Sequence, residues 1–345
     1  MSGERYIVNF IHDIAYIENE TVAINASGER FRIKGKMMVT ALKEIIQHFQ
    51  TPSTLDSAVA TFSNKYSPDS VRKILDFLIQ KTTLIKESEA KSILKHDATY
   101  IEKAYSYTLG GKSLSEIHQL MAPLRICIIG TSSMVSNSLR SLSSGGLLTS
   151  FKIVVTDGEF EEPHFPDDVK IDSIHKGLDF SHIQALIKES DFIIAGANYY
   201  NHYLFNQINK ICLKQNKSWI RIVLDGFKAE IGPMFIPDET CCYACLHTRS
   251  RALMGTEEFA LDDLYVELVP DNNAKERAVK FAALYPLNAI SVNIATSELV
   301  KHLVGLKCNL HNQVLELDCI DYQLQKSYIF KDYRCSSCVG GYVNE

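Results

Sequence analysis

The chain has 345 residues, a length that suits two domains better than one. Its composition, 46% hydrophobic and 22% charged, is that of a globular protein with enough apolar material for a core. A net charge of −5, no arginine-rich stretch, no signal peptide and no long apolar run predict a cytoplasmic protein that binds neither nucleic acid nor membrane.

Residues 1–88 are predicted to form a small α+β domain. Alternating apolar residues bounded by turn residues predict four short strands, at residues 6–10, 14–17, 21–24 and 30–33. Helices are predicted at residues 38–49, 55–62 and 67–80, and Ser67-Pro68 gives the third an N-cap followed by proline at its first position. A small sheet with three helices is typical of a winged-helix domain. Residues 89–119 are expected to form a helical linker.

Residues 120–345 follow a different pattern, in which strands alternate with helices. Strands are predicted at residues 125–129, 151–156, 191–196 and 220–225, and helices at 134–143, 182–188, 203–215 and 287–303. This alternation predicts a parallel sheet with helices on both faces, the Rossmann-like arrangement of an α/β nucleotide-binding domain.

Four of the nine cysteines form two Cys-x-x-Cys pairs, Cys242 with Cys245 and Cys335 with Cys338. Two intervening residues let both sulfurs of a pair bind one tetrahedral ion, and two pairs complete a four-thiolate zinc site. Such a site has no open position, so the zinc is predicted to be structural. Cys241 is adjacent but has the wrong offset, and we interpret it as a bystander.

The turn after the first strand of the second domain is a candidate nucleotide site. Gly130, Thr131, Ser132 and Ser133 join this strand to a helix, where backbone N–H groups and hydroxyls can face a phosphate. Asp157, at the end of the next strand, is the acid expected to bind ribose hydroxyls. These residues alone do not separate ATP from a nicotinamide dinucleotide.

The order of motifs in residues 120–345 resembles the E1-like adenylating enzymes of the ThiF/MoeB group. Gly130, Asp157, Asp191, the Asp225-Gly226 pair with Gly232, and the two cysteine pairs follow one another as they do in that group. The resemblance implies ATP and Mg²⁺ as cofactors, a structural zinc and a homodimer.

The same resemblance implies which residues form the ATP site. Catalytic roles fall to Asn198, Asp157 and Lys176. Contacts to the nucleotide are implied for Gly130, Thr131, Ser132, Ser133, Asp157, Glu159, Arg140, Lys170, Asn198 and Asn201.

The sequence departs from the group's pattern in three places. The phosphate turn carries serine and threonine in place of glycines. The segment with the phosphate-binding arginine is replaced by residues 162–168, and Arg140, Lys170 or Lys176 is a candidate substitute cation. Asn198 stands where the group has its magnesium-binding aspartate, and an amide oxygen ligates without charge.

The N-terminal domain resembles the peptide-recognition element of enzymes that mature ribosomally made natural products. In these enzymes a precursor's leader segment adds a strand to the small sheet and lies against the third helix. The edge is expected within residues 21–33 and the helix at 67–80. A DNA-reading winged helix is disfavoured because acidic Asp69 and Asp76 share that helix with Arg72 and Lys73.

Together these resemblances predict an enzyme that uses ATP to activate a carboxylate of a precursor peptide, a glutamate side chain or a terminal carboxyl, for intramolecular cross-linking in antibiotic biosynthesis. Within the group, the resemblance extends to enzymes that form the pantocin A core. Two alternatives stay open on the residues: a non-catalytic escort that presents the leader to a partner cyclodehydratase, and a nicotinamide-dependent oxidoreductase.

Overall fold

The computed structural model describes residues 3–10, 12–18, 20–26, 29–95, 119–143, 150–157, 160, 169–255 and 284–339. The chain divides into two compact units, Met1–Gln119 and Leu120–Glu345. Glu159, residues 162–168 and most of the predicted linker lie outside the described residues. Within the described ranges, no helix has the length and apolar character needed to cross a membrane.

The first unit contains two small sheets and four described helices, of which α1, α2 and α3 are the three helices that the sequence predicts. Its described strands and helices are β1 (Arg5–Val8), β2 (Asp13–Ile17), β3 (Thr21–Ala26), β4 (Glu29–Lys34), α1 (Lys36–His48), β5 (Ser53–Thr54), α2 (Leu55–Phe62), α3 (Pro68–Gln80), β6 (Leu84–Lys86) and α4 (Glu87–Lys95). Strands β2, β3 and β4 form an antiparallel sheet in that order, and β1 pairs with β5 and β6 in a second sheet.

The helices of this unit form where the sequence supplies caps and apolar faces. The Ser67 hydroxyl accepts a hydrogen bond from Ser70 N–H at the start of α3, and the Thr54 hydroxyl caps α2 in the same way. Helix α3 buries Leu75 and Leu78 in a core shared with α1 and β3. Burial of such apolar faces provides most of the helices' stability.

The second unit is built on one eight-stranded sheet. Its described elements are β7 (Arg125–Gly130), α5 (Ser132–Ser143), β8 (Ser150–Val155), β9 (Lys170–Lys176), α6 (Phe180–Lys188), β10 (Phe192–Ala197), α7 (His202–Gln215), β11 (Ser218–Asp225), β12 (Lys228–Phe235), α8 (Tyr243–Leu253), α9 (Tyr285–Leu303), β13 (Gln313–Asp318) and β14 (Gln323–Tyr328). The strand order is β14-β13-β12-β11-β10-β7-β8-β9.

Five neighbouring strands, from β11 to β9, are parallel, and β12, β13 and β14 extend the sheet antiparallel. The central strands β7, β8 and β10 are almost continuously buried, as expected where helices cover both faces of a parallel sheet. Helices α5 and α9 pack against each other, whereas α6, α7 and α8 belong to the core on the Cys127 and Ile193 face. The parallel order places the carboxyl ends of β7, β8 and β10 side by side.

Helix α5 approaches the sheet closely at Gly196 of β10. A Cβ atom built on Gly196 would lie 1.7 Å from the Sδ atom of Met134, in the first turn of α5, and 3.2 Å from the carbonyl oxygen of Ile222. Met134 is only 1% exposed, so it has little room to move aside. Glycine at residue 196 therefore sets how near the turn at residues 130–133 lies to β10.

We predict that Gly196→Ala destabilises the protein by about 1–3 kcal/mol, because the added methyl overpacks this contact. Chemical denaturation measures the change in the free energy of unfolding. Combining it with Met134→Ala removes the clashing side chain, so the double variant should lose less stability than the sum of the two single losses. Strictly additive losses would contradict the proposed contact.

Candidate nucleotide and zinc sites

The candidate nucleotide residues meet at the carboxyl edge of the parallel sheet. Gly130 ends β7, Thr131 and Ser132 lead into α5, and Thr156 N–H donates to the Gly130 carbonyl at 2.9 Å. Asp157 follows β8, and Asn198 follows β10 on the other side of β7. This is the edge at which open α/β sheets bind ligands.

Asp157 lies against the start of helix α5. Its Oδ1 atom accepts a hydrogen bond from Ser132 N–H at 2.7 Å, which fixes the carboxylate at the helix N-terminus. Burial raises the pKa of Asp157, and the bond from Ser132 opposes this effect only in part. The carboxylate is thus a positioned acceptor of the kind that binds ribose hydroxyls.

Asn198 belongs to the same cluster as the phosphate turn. Its Oδ1 atom accepts from the Thr131 hydroxyl at 3.4 Å, and Thr131 lies 3.5 Å from the Ser133 hydroxyl. Thr131 is 5% exposed and Ser133 is half-buried. The structure therefore brings Gly130, Thr131, Ser133, Asp157 and Asn198 into one small region.

The three candidate cations do not share this location. Lys176 is exposed at the carboxyl end of β9, paired in register with Val155, two residues before Asp157. Lys170 begins the same strand, about 20 Å away at the amino edge, and forms an ion pair with Asp172. Arg140 is exposed about 12 Å along α5 from Ser132. Lys170 and Arg140 therefore lie apart from the cluster, whereas Lys176 lies at the same edge of the sheet as the candidate nucleotide residues.

Asn201 shapes the segment that follows Asn198. Its Oδ1 atom accepts from Leu204 N–H at 3.0 Å and caps helix α7, while its Nδ2 atom donates to the Tyr199 hydroxyl at 2.9 Å. Both ends of the amide are engaged in shaping the segment after Asn198. Asn201 therefore supports this segment, and its contact with the nucleotide stays a prediction.

The second site is formed by Cys242, Cys245, Cys335 and Cys338, as the spacing predicts. The four Sγ atoms lie within 4.8 Å of one another, and the Cys242–Cys245, Cys242–Cys335 and Cys245–Cys338 pairs are 3.6–3.8 Å apart. A tetrahedral zinc with bonds of 2.3 Å requires S···S distances of about 3.8 Å, whereas a disulfide requires about 2 Å. The donor set therefore fits zinc.

Surrounding residues hold the thiolates in place. Asp332 N–H donates to Cys245 Sγ at 3.4 Å. Asn209 of α7, fully buried, accepts from Tyr243 N–H at 2.9 Å. Asn312 accepts from Cys241 N–H at 2.7 Å. Contacts of this kind orient metal ligands and tune their charge.

Sequence reasoning missed an ionic cluster around the buried Arg221, which includes Tyr200, two residues after the candidate residue Asn198. Arg221, on β11, has a 3% exposed side chain that pairs with Glu230 of β12 and donates to the Gly232 carbonyl at 3.1 Å. The Tyr200 hydroxyl donates to the same Glu230 carboxylate. Burial and the nearby Glu230 carboxylate raise the pKa of Tyr200. The sequence does contain a signal for this cluster, namely a single arginine within an apolar strand pattern. A charge that is buried in such a strand requires a partner.

Tyr200 and Glu230 also line an open pocket of about 300 Å³ on the antiparallel part of the sheet. Strands β12, β13 and β14 supply the remaining walls, which are mostly polar; they include Glu316, Asp318, Gln323 and Gln325. One of its lining residues, Tyr200, is two residues beyond Asn198 in the sequence.

A Rossmann-like sheet extended by antiparallel strands, with a four-cysteine zinc site, defines the E1-like class of proteins. The ThiF family model matches residues 164–337, half of the chain. The chain therefore belongs to the ThiF family of E1-like, ATP-dependent adenylating enzymes. No curated protein matches the sequence.

Solved structures share the fold over almost the whole chain. E. coli MccB with AMPCPP and selenomethionine-labelled MccA has a TM-score of 0.71 and 15% identity, covering 97% of this chain and 99% of that one. The microcin C7 biosynthetic enzyme MccB with N-formylated MccA has a TM-score of 0.69 and 14% identity, covering 97% and 99%. A heterocyclase in complex with substrate and cofactor has a TM-score of 0.63 and 14% identity, covering 99% of this chain and 40% of that one.

We predict that Cys245→Ala abolishes zinc binding, because three thiolates cannot close the tetrahedral site and the C-terminal segment loses its attachment. Metal analysis by mass spectrometry should find close to one zinc per chain in the unaltered protein and almost none in the variant. Cys241→Ala is the matched control, since Cys241 is equally buried but lies outside the cluster. Retention of full zinc content by Cys245→Ala would refute the assignment.

Proposed function

We propose that the enzyme activates a carboxylate of a ribosomally made precursor peptide as an acyl-adenylate, in a natural-product pathway. The observation that carries the proposal is the convergence of Gly130, Asp157 and Asn198 at one sheet edge in a ThiF-family domain. The shared fold with MccB, solved with both a nucleotide and the peptide MccA, supports a peptide as the substrate.

In the proposed site, Asp157 binds the ribose and the start of α5 faces the phosphates. Backbone N–H groups and the helix dipole favour the negative charge of a triphosphate. Asn198 is the proposed ligand for Mg²⁺ through its amide oxygen, and Lys176 is the proposed cation. When bound, Mg²⁺ would neutralise phosphate charge, so the protein's own contribution is mainly positioning.

The reacting end of the peptide is proposed to enter the open pocket beside Tyr200. A carboxylate oxygen of the peptide attacks the α-phosphorus of ATP, the bond to the bridging oxygen breaks, and pyrophosphate leaves. A second nucleophile of the same peptide then displaces AMP and closes an intramolecular link. A glutamate side chain or a terminal carboxyl is the proposed acyl group.

The leader of the peptide is proposed to bind the first unit at strand β4. Among the described strands, β4 pairs only with β3, so its other edge is available for an added strand. Phe31 of β4 packs edge-to-face on Phe77 of α3, with ring centroids 5.8 Å apart, which places this edge next to the third helix. Arg30, Arg32 and Lys34 are exposed along β4, so the proposed leader is acidic.

We predict that the purified enzyme releases pyrophosphate from Mg-ATP only with the precursor peptide encoded beside it, and that Asp157→Ala reduces this release at least tenfold. The loss is expected because a charge-assisted bond to the ribose disappears. Lys170→Ala, at the opposite sheet edge, is the control and should leave the rate unchanged. Tight peptide binding without pyrophosphate release, at any Mg²⁺ concentration, would instead support a non-catalytic escort.

We also predict that Arg30→Ser with Arg32→Ser weakens leader binding about tenfold, measured by fluorescence anisotropy with a labelled synthetic leader. Two attractive charges at the proposed edge are removed, and the effect should diminish at high salt. Arg5→Ser, in the other sheet of the same unit, is the matched control and should bind as the unaltered protein does. If Arg5→Ser loses as much leader affinity as the Arg30→Ser, Arg32→Ser variant, β4 is not the docking edge. The homodimer implied by the family resemblance stays a prediction, which light scattering can test.

A further inference from the structure

A chain of polar side chains runs from helix α9 to Asn198 across the α5–α9 interface. The Tyr285 hydroxyl donates to Asn137 Oδ1 at 3.1 Å, and Asn137 Nδ2 donates to Asn288 Oδ1 at 3.0 Å. Asn288 Nδ2 then donates to Ser133 Oγ at 3.0 Å. Asn137 and Asn288 are 8% and 2% exposed, so these bonds form in the protein interior.

The direction of these bonds determines where the Ser133 proton points. Because Asn288 donates into the Ser133 oxygen, the hydroxyl proton must be directed away from Asn288. Thr131 lies 3.5 Å from Ser133 and itself donates to Asn198 Oδ1 at 3.4 Å, so Ser133 is the donor in the contact with Thr131. In every link the donor therefore lies on the Tyr285 side of the chain of hydrogen bonds and the acceptor lies nearer Asn198.

The last two contacts are long, at 3.4 and 3.5 Å, whereas the three before them are 3.0–3.1 Å. A hydroxyl that is held on one side and weakly engaged on the other is ready to donate to a stronger acceptor. A phosphate oxygen at the N-terminus of α5 is such an acceptor, since bonds to charged groups are shorter and stronger than neutral ones.

We infer that Asn288 is a positioning residue for the nucleotide: it fixes the Ser133 hydroxyl as a donor to a phosphate oxygen of ATP, and Asn137 and Tyr285 hold Asn288 in place. This inference rests on the proposed nucleotide site. Such positioning explains how the turn at residues 130–133, which has only one glycine, can direct a hydrogen-bond donor at the phosphate. In a glycine-rich turn, backbone N–H groups would do this. The positioning also links the first turn of α9 to the phosphate position.

The test is equilibrium binding of ATP and of adenosine, measured by isothermal titration calorimetry on the full chain. Asn288→Leu keeps the side-chain volume but removes the donor to Ser133, and Ser133→Ala removes the hydroxyl itself. Each should weaken ATP binding about tenfold, the size expected for one bond to a charged group. Adenosine, which has no phosphate, should bind both variants as it binds the unaltered protein.

A double variant distinguishes positioning from a general loss of structure. If Asn288 acts through Ser133, the combined Asn288→Leu and Ser133→Ala protein should bind ATP no more weakly than either single variant. Ser141→Ala is the matched control, because Ser141 bonds to Asn293 across the same two helices, further along α5. It should not change ATP affinity, even if its melting temperature falls.

Three results would overturn the inference while leaving the proposed function intact. The first is a loss of ATP affinity in the double variant that equals the product of the two single losses. The second is a loss of adenosine affinity as large as the loss of ATP affinity. The third is a loss of ATP affinity in Ser141→Ala as large as that in Asn288→Leu. If the unaltered protein binds neither ATP nor adenosine, the proposed function fails together with the inference.

Discussion

The in-register parallel pairing of β8, β7 and β10 is the constraint on which the candidate site depends. Each of these strands is buried, and each ends within a residue or two of a polar side chain: Thr131, Asp157 or Asn198. Since a register shift by one residue would exchange the two faces of a strand, the apolar packing on both sides fixes where these side chains emerge. Gly196 adds a second constraint, because it allows Met134 and the start of α5 to lie directly over β10.

The zinc site and the class of fold could be predicted from the sequence because their signals are local. Two residues between Cys242 and Cys245 suffice to direct both sulfurs to one ion, whatever the rest of the fold does. The strand–turn–helix at Gly130 is equally local. The predicted strands of the parallel core agree with the structure to within a residue or two. The roles assigned to Asp157 and Asn198 in binding ATP stay predictions, which the proposed experiments test.

Other features could not be predicted because they depend on contacts between distant segments. Strand β9 alternates half-buried and exposed residues, but its sequence is rich in charged and polar side chains, so the pattern predicts no strand there and makes Lys170 and Lys176 equal candidates for the substitute cation. Their opposite locations follow from the length of the strand, which the local pattern does not reveal. Strand β14 is also rich in polar side chains, because it forms the other edge of the sheet and is exposed. Arg221 is a third example, since its partner Glu230 is defined only by the β11–β12 pairing.

The proposed phosphate turn carries hydroxyl side chains in place of glycines, and the polar interface between α5 and α9 bonds to one of them, Ser133. A glycine-rich turn presents backbone N–H groups, whose direction is set by the chain itself. A hydroxyl rotates freely, so a turn built on Thr131 and Ser133 presents a directed donor only when another residue fills the hydroxyl's acceptor position. Asn288 does so from the facing helix, and because it is buried, its own oxygen requires a donor, which Asn137 supplies. A hydroxyl in the turn thus requires a set of hydrogen-bonded side chains between α5 and α9, and this set extends to Tyr285 at the start of α9.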